Sequence, residues 1–261
     1  MNNDDFLWVH LKALPFFRSL LRAVEANYYQ EVELPSPVLD VGCGDGHFAS
    51  VVFDRPLEIG IDPDLKSLRE ARRREAYLSL IQSDGARLPY PDRSIGSAIS
   101  NSVLEHIPHL DAVLEDVGRV LRPGAPFVFT VPNPGYRDEL SFPNWLKRFG
   151  LHSASNAYRQ WFMRMSRTIH MYDREQWQEK LLQAGFQVEH TFDYFAPSAL
   201  HVLEWGHYFG APSLLPRAVS GRWIAAPYRW NLWLTERFVR RYYDAGPKVD
   251  GTYSFYLARK Q

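Results

Sequence analysis

Short apolar runs alternate with amphipathic stretches through the first half of the chain, and that alternation predicts its elements. Residues 6–30 carry Phe16, Leu20, Val24 and Tyr28 at helical spacing, with Pro15 suited to a first-turn position, and predict a helix. An apolar strand is expected at 37–42 and a helix from about Gly46 to Phe53. The strand "LEIGID", the charged helix "DLKSLREARRREAY" and the strand "LSLIQSD" come next. "SIGSAIS" predicts a fourth strand, "LDAVLEDVGRVL" an amphipathic helix closed by "RPG", and "PFVFTV" a fifth strand. Elements alternating at this pace predict an α/β fold, a mostly parallel sheet covered by helices on both faces.

The pattern changes after Val131. Residues 133–172 read as a loop- and aromatic-rich stretch ahead of the helix "DREQWQEKLLQAGF", for which Asp173 is a natural N-cap and Gly185 a C-terminal turn. The strand "QVEHTFDYF" follows, and residues 196–250 intervene before the closing strand "TYSFYLAR". Connections inside compact domains usually run ~4–6 residues, so the insertions 133–172 and 196–250 are expected to face a substrate. The chain, 1–261, reads as one domain, with 1–34 as an N-terminal helical cover.

Composition narrows the function classes. With 261 residues, 46% of them hydrophobic, the chain can bury a sizeable core. Thirty basic residues balance thirty acidic ones, so no global charge argues for nucleic acid as a partner. Cys43 is the single cysteine, which excludes an internal disulfide and an all-cysteine metal site. The opening "MNNDDFLWVH" is acidic rather than signal-like, and no apolar run reaches the ~18 residues of a spanning helix. A cytoplasmic, reducing compartment is therefore expected.

The chemistry concentrates in "LDVGCGDGHF", residues 39–48. Gly42, Gly44 and Gly46 fall at the carboxyl end of the first strand and open a helix, the place where open parallel sheets bind ligands. Glycine lets the backbone approach a ligand without a Cβ in the way. Asp62 ends the second strand, where a carboxylate can accept both hydroxyls of a ribose. A dinucleotide turn prefers G-x-G-x-x-G, with little negative charge beside the pyrophosphate. Here the spacing is G-x-G-x-G and Asp40 and Asp45 flank it, which suits a ligand carrying an ammonium or sulfonium. An NAD-dependent oxidoreductase is thus the disfavoured alternative, together with a non-catalytic cofactor-binding or membrane-associated partner protein.

The segments "VLDVGCGDGHFA", "IGIDPD", "SDGARLPYPDRSIGSAISNSVLEHI" and "VLRPGAPFVFTVPNP" closely resemble the class I S-adenosylmethionine-dependent methyltransferases of the small-molecule type. The resemblance implies a Rossmann-like seven-stranded sheet with an antiparallel hairpin at one edge, and S-adenosylmethionine as cofactor. It also implies roles. Asp40 and the turn Gly42, Cys43, Gly44 and Gly46 would hold the methionine portion, with Cys43 present as a small residue. Asp62 would take the ribose hydroxyls and Pro63 would lie along the adenine. Asp84, with the backbone of Gly85 and Ala86, would meet the adenine amino group. Asn101 and Ser102 would lie near the methionine and the sulfonium.

In-line methyl transfer needs mainly positioning, charge complementarity and exclusion of water, with a general base only where the acceptor must lose a proton early. Candidates for that base are Glu105, His106, His170 and Tyr172. Related quinone-ring enzymes place a further acid where this chain has Ser102, so no metal is expected. Segment 196–250 interleaves Trp205, Trp223, Trp230 and Trp233 with six arginines. It reads as a lid with its own aromatic core, as an interfacial surface for a lipid-like acceptor, or as a surface for single-stranded nucleic acid, against which the neutral chain argues. The expectation is methyl transfer to a small or lipid-like acceptor, at oxygen, beneath an aromatic-rich helical lid.

Overall fold

The computed structural model describes residues 5–261, so residues 1–4 of the expected N-terminal cover lie outside the described residues. The cover itself is two helices, α1 (Phe6–Leu11) and α2 (Phe16–Gln30), where the spacing predicted one. Pro15 causes the break. It stands just outside α2 with ψ 143°, because its ring disfavours helical geometry at Leu14 and removes a backbone donor.

The alternating half folds as β1 (Val38–Val41), α3 (His47–Val52), β2 (Leu57–Asp62), α4 (Leu65–Arg73), β3 (Tyr77–Gln82), β4 (Ser97–Asn101), α5 (Leu110–Val120) and β5 (Pro126–Pro132). The insertion at 133–172, expected to be rich in loops, is mostly helical: α6 (Pro134–Asp138), α7 (Ser141–Arg148) and α8 (His152–Met165). Its aromatics sit one helical turn apart and meet side by side, Trp145 on Phe149 and Tyr158 on Phe162. Next come α9 (Arg174–Gln183), β6 (Phe186–Tyr194), α10 (Pro197–Phe209), α11 (Leu214–Ser220), α12 (Arg229–Val239) and β7 (Tyr253–Lys260). Asp173 caps α9 as expected, in a reciprocal capping box with Gln176.

The seven strands lie in the order β3-β2-β1-β4-β5-β7-β6, with β7 antiparallel to both neighbours. The chain winds one way from β1 to β3 and the other way from β4, so a crevice opens beyond the carboxyl ends of β1 and β4. β1, β4 and β5 are buried along their whole length, as parallel strands covered on both faces must be. One core layer packs α2, α3 and α10 against the sheet; the other packs α5 and α9. Gly206 lets α10 settle onto α2, since a Cβ there would stand 2.2 Å from Phe17 Cβ. That contact brings the second insertion over the crevice.

Candidate active site

After β1 the chain turns through Gly42, Gly44 and Gly46, all at positive φ (80°, 54° and 72°). The N–H groups of Gly42 and Cys43 both donate to the Ile61 carbonyl at 2.9 Å, which pins the turn to β2. A Cβ on Gly42 would stand 2.3 Å from Val103 Cγ1, whereas one on Gly44 would meet nothing within 4 Å. Packing thus demands the first glycine, while the second keeps space open.

Asp62 clamps the turn. Its Oδ2 accepts the Gly44 N–H at 2.9 Å and its Oδ1 the Asp64 N–H at 2.8 Å. A carboxylate has room for about four such bonds, so each oxygen keeps a free lone pair. Asp40 is buried beneath the turn, and its Oδ2 accepts the Tyr77 hydroxyl at 2.6 Å. Desolvation, resisted by that hydrogen bond and reinforced by Asp62, pushes the Asp40 carboxyl up to about 7. Burial also raises the Cys43 thiol, which makes it a packing residue rather than a nucleophile.

Asp40, Gly42, Cys43, Gly44 and Asp62 line a cleft of about 720 Å³, as do Pro63, Asp84, Asn101 and Ser102. Asp84 accepts the Ala86 N–H at 3.1 Å and lies 3.3 Å from His109 Nε2. Gly46, Gly85 and Ala86 stand behind the lining. The Gly85 N–H donates to Ser83 Oγ at 3.1 Å, so the backbone at 85–86 is already engaged. At the end of β4, Thr130 donates to Asn101 Oδ1 at 2.6 Å, while the buried Asn101 Nδ2 has no partner. Ser102 takes a positive φ of 50°, and its hydroxyl donates to Glu25 Oε1 at 2.7 Å.

A second cavity of about 380 Å³ lies beneath the insertions. Its walls combine apolar side chains, Phe17, Leu21, Tyr136, Leu203 and Tyr253 among them, with polar ones such as Ser166, Thr168 and His207. It shares Arg18, Arg22, Ser102, His106 and Trp223 with the cleft, so the two spaces meet at these side chains. Glu105 also lines it. That carboxyl is buried, its Oε2 lacks a partner, and desolvation pushes its pKa up to about 8.

The four candidate bases differ in placement. His106 stands at the junction, and its Nδ1 lies 2.9 Å from the Arg167 carbonyl. A carbonyl only accepts, so Nδ1 carries the proton and Nε2 presents a lone pair, 3.7 Å from Glu105 Oε1. Burial lowers the His106 pKa and keeps the ring neutral. His170 has both nitrogens engaged, Nε2 with the Ile107 carbonyl at 2.9 Å and Nδ1 with the Tyr172 hydroxyl at 3.0 Å. Neither His170 nor Tyr172 lines the cleft or the cavity.

Sequence reasoning missed Arg18, Arg22 and Glu25 on α2, and it read Trp223 only as part of the lid. Glu25 is fully buried, and it accepts from Ser102, from Tyr194 at 2.9 Å and from Arg22 at 2.7 Å. Burial opposes the charge of Arg22, but Glu25 outweighs it and the arginine's pKa rises. The one available signal was a lone acid among the apolar residues of an amphipathic helix. Among the described residues, no three His, Cys, Asp or Glu side chains gather as a metal site would need.

A family model described as a methyltransferase domain matches residues 15–191, more than half of the chain. The chain belongs to this methyltransferase family. A methyltransferase of Mycobacterium sp. (strain JLS) is 28% identical over 194 residues, covering 72% of this chain and 69% of that protein. A fatty-acid O-methyltransferase of Mycolicibacterium smegmatis is 34% identical over 113 residues, 41% of this chain and 40% of that protein. The solved structure of a geranyl diphosphate methyltransferase with S-adenosylmethionine superposes with a TM-score of 0.52 at 14% identity, covering 94% of this chain and 90% of that one. The methyltransferase is therefore of the class I, Rossmann-like type with S-adenosylmethionine as cofactor, and the dinucleotide alternative falls away.

Proposed function

We propose that this methyltransferase transfers a methyl group to an oxygen of an apolar acceptor seated in the 380 Å³ cavity. The observation that carries the reading is the shared wall: Arg18, Arg22, Ser102, His106 and Trp223 border both the cofactor cleft and the cavity. A molecule in one space can therefore present an atom to the other while water is excluded. S-adenosylmethionine supplies an activated methyl group on a sulfonium. The residues present fit it. Asp62 keeps free lone pairs for ribose hydroxyls, Gly44 leaves the cleft open, and Asn101 Nδ2 waits for an acceptor. Asp40 would face the ammonium of the methionine portion, Pro63 would lie along the adenine, and Asp84 would accept from its amino group. Where the acceptor oxygen is a hydroxyl, His106 Nε2 takes the proton. The Mycolicibacterium relative named as a fatty-acid enzyme supports an apolar oxygen acceptor.

A thermal-shift comparison, followed by labelled methyl transfer to matched acids, alcohols and amines, tests this reading. S-adenosylhomocysteine should stabilise the protein and NADH should not, and label should appear on oxygen. Label on amines alone would refute it.

A second reading concerns where the acceptor comes from. On α12, Trp230, Trp233, Leu234 and Phe238 are exposed at helical spacing with Arg237 on the same stripe, and the exposed Arg241 follows just past the helix end. Phe209, Leu214, Leu215 and Val219 are exposed on the neighbouring segments. No helix among the described residues is long and apolar enough to cross a membrane. The stripe supports peripheral contact with an anionic bilayer, tryptophans at headgroup depth and arginines on lipid phosphate. Co-flotation with anionic vesicles, lost in Trp230→Ser/Trp233→Ser, is the expected result; no flotation of the parent protein would remove the idea.

A further inference from the structure

Of the two arginines that border both the cleft and the cavity, one is paired and the other is not. Arg22 is held by Glu25 at 2.7 Å, Arg217 by Glu70 at 2.8 Å, and Asp45 by Arg74 at 3.3 Å. Glu25 is further saturated by Ser102 and Tyr194. Glu105 holds its proton up to about pH 8, so near neutrality it is mostly uncharged. Arg18 is what remains. Among the described residues it makes no hydrogen bond or ion pair, and its contact is with the face of Trp223, 6.0 Å from the ring centre. It is solvent-exposed and lines both spaces, with the positive charges of Arg22 and Arg217 close by. Asp45 attracts it from beyond pairing distance. An unpaired guanidinium where the two spaces meet is suited to an incoming anion.

We infer that the acceptor is a carboxylic acid with an apolar body, and that Arg18 holds its carboxylate at the junction of cavity and cleft. This rests on the methyl-transfer reading above and narrows it. Phe17, Leu21, Leu203 and Tyr253 would surround the apolar body. The protonated Glu105, with its unpartnered Oε2, adds a donor rather than a competing charge. A carboxylate oxygen forms the new bond to the methyl carbon, and the sulfur–methyl bond breaks with its electron pair returning to sulfur. A methyl ester and a neutral thioether result, and no proton has to leave. The reaction then needs no general base, and His106 serves only as part of the wall.

The cofactor also carries a carboxylate, so the test separates the two sources. Calorimetry of the full chain with S-adenosylhomocysteine comes first, since failure to bind would sink the methyltransferase reading itself. The saturated complex is then titrated with a series of acids from hexanoate to tetradecanoate, with phenylacetate, and with the matching alcohols. At least one acid should bind roughly tenfold or more tightly than its alcohol, the worth of one charge-assisted hydrogen bond. Arg18→Gln should abolish that preference and leave S-adenosylhomocysteine affinity within about twofold, and Arg18→Lys should restore part of it. No acid preference anywhere in the series would overturn the inference while leaving methyl transfer intact. Loss of S-adenosylhomocysteine affinity in Arg18→Gln, with acid preference unchanged, would assign Arg18 to the cofactor instead.

Discussion

Ser102 and Glu25 lie 77 positions apart, yet the serine hydroxyl donates to the glutamate carboxylate at 2.7 Å, fastening the end of β4 to α2. The same carboxylate accepts from Arg22 and Tyr194, so one buried acid ties the N-terminal helix, the cleft and the β6 edge together.

Removing that acid should therefore loosen both fold and site. Glu25→Ala leaves Arg22 without its anion and two hydroxyls without an acceptor, a loss on the order of 3–5 kcal/mol. Urea unfolding should show the midpoint falling steeply. Glu25→Gln, which keeps an acceptor oxygen, should lose less.

Asp62 and Gly44 test the cleft from two sides. Asp62→Ala should weaken S-adenosylhomocysteine binding roughly a hundredfold, since charge-assisted hydrogen bonds contribute about 1.5–3 kcal/mol each. Gly44→Ala adds a methyl group where the protein offers no neighbour within 4 Å, at a positive φ of 54°. It should fold with a penalty of about 1–2 kcal/mol and still lose cofactor affinity. Unchanged calorimetric affinity in both variants would move the cofactor elsewhere.

Cofactor affinity should depend on pH through Asp40. Without a ligand its pKa stands near 7, because burial disfavours the charge. A cation bound beside it favours the ionised form, so affinity should rise as pH increases through 7 and fall below it, by at most about tenfold per unit. Calorimetry in buffers of different ionisation enthalpy should detect more proton release in the parent protein than in Asp40→Asn.

A second pH dependence concerns stability. His10 Nδ1 and His47 Nε2 lie 3.0 Å apart and are buried, joining α1 to α3. Desolvation lowers both pKa values, with each ring also opposed by neighbouring positive charge. The folded pair stays neutral where the unfolded chain takes up protons. Its contribution is thus complete above about pH 6.5 and is lost progressively as pH falls below that. Denaturation midpoints between pH 7.5 and 5 should decline, and His10→Phe/His47→Phe should flatten the decline.

Much of the scaffold was legible because its signals are local. "VLDV", "LEIGID" and "PFVFTV" are short segments rich in apolar residues, each long enough for one strand, and all three are strands. Asp173 and Gly185 announced the ends of α9 through chemistry within a single turn. The helix expected over 6–30 breaks at Pro15, which stands at the N-cap of α2 rather than inside its first turn. In 133–172 the stretch reads as loop- and aromatic-rich along the chain, and the helices expected of the insertions are α6, α7 and α8, with aromatics one turn apart.

By itself the sequence determined the alternating α/β frame, the glycine turn and the two aspartates that end or begin beside it, because strand period, glycine geometry and charge sign act over neighbouring residues. Only the tertiary structure decided which side chains face the reacting space. Arg18, Arg22 and Glu25 look like ordinary polar positions of an amphipathic helix until α2 is laid against β4, and Trp223 reaches the junction from a distant insertion. Whether a charge is paired depends on groups brought together by folding. The unpaired guanidinium of Arg18 is for that reason a property of the packed molecule, invisible along the chain.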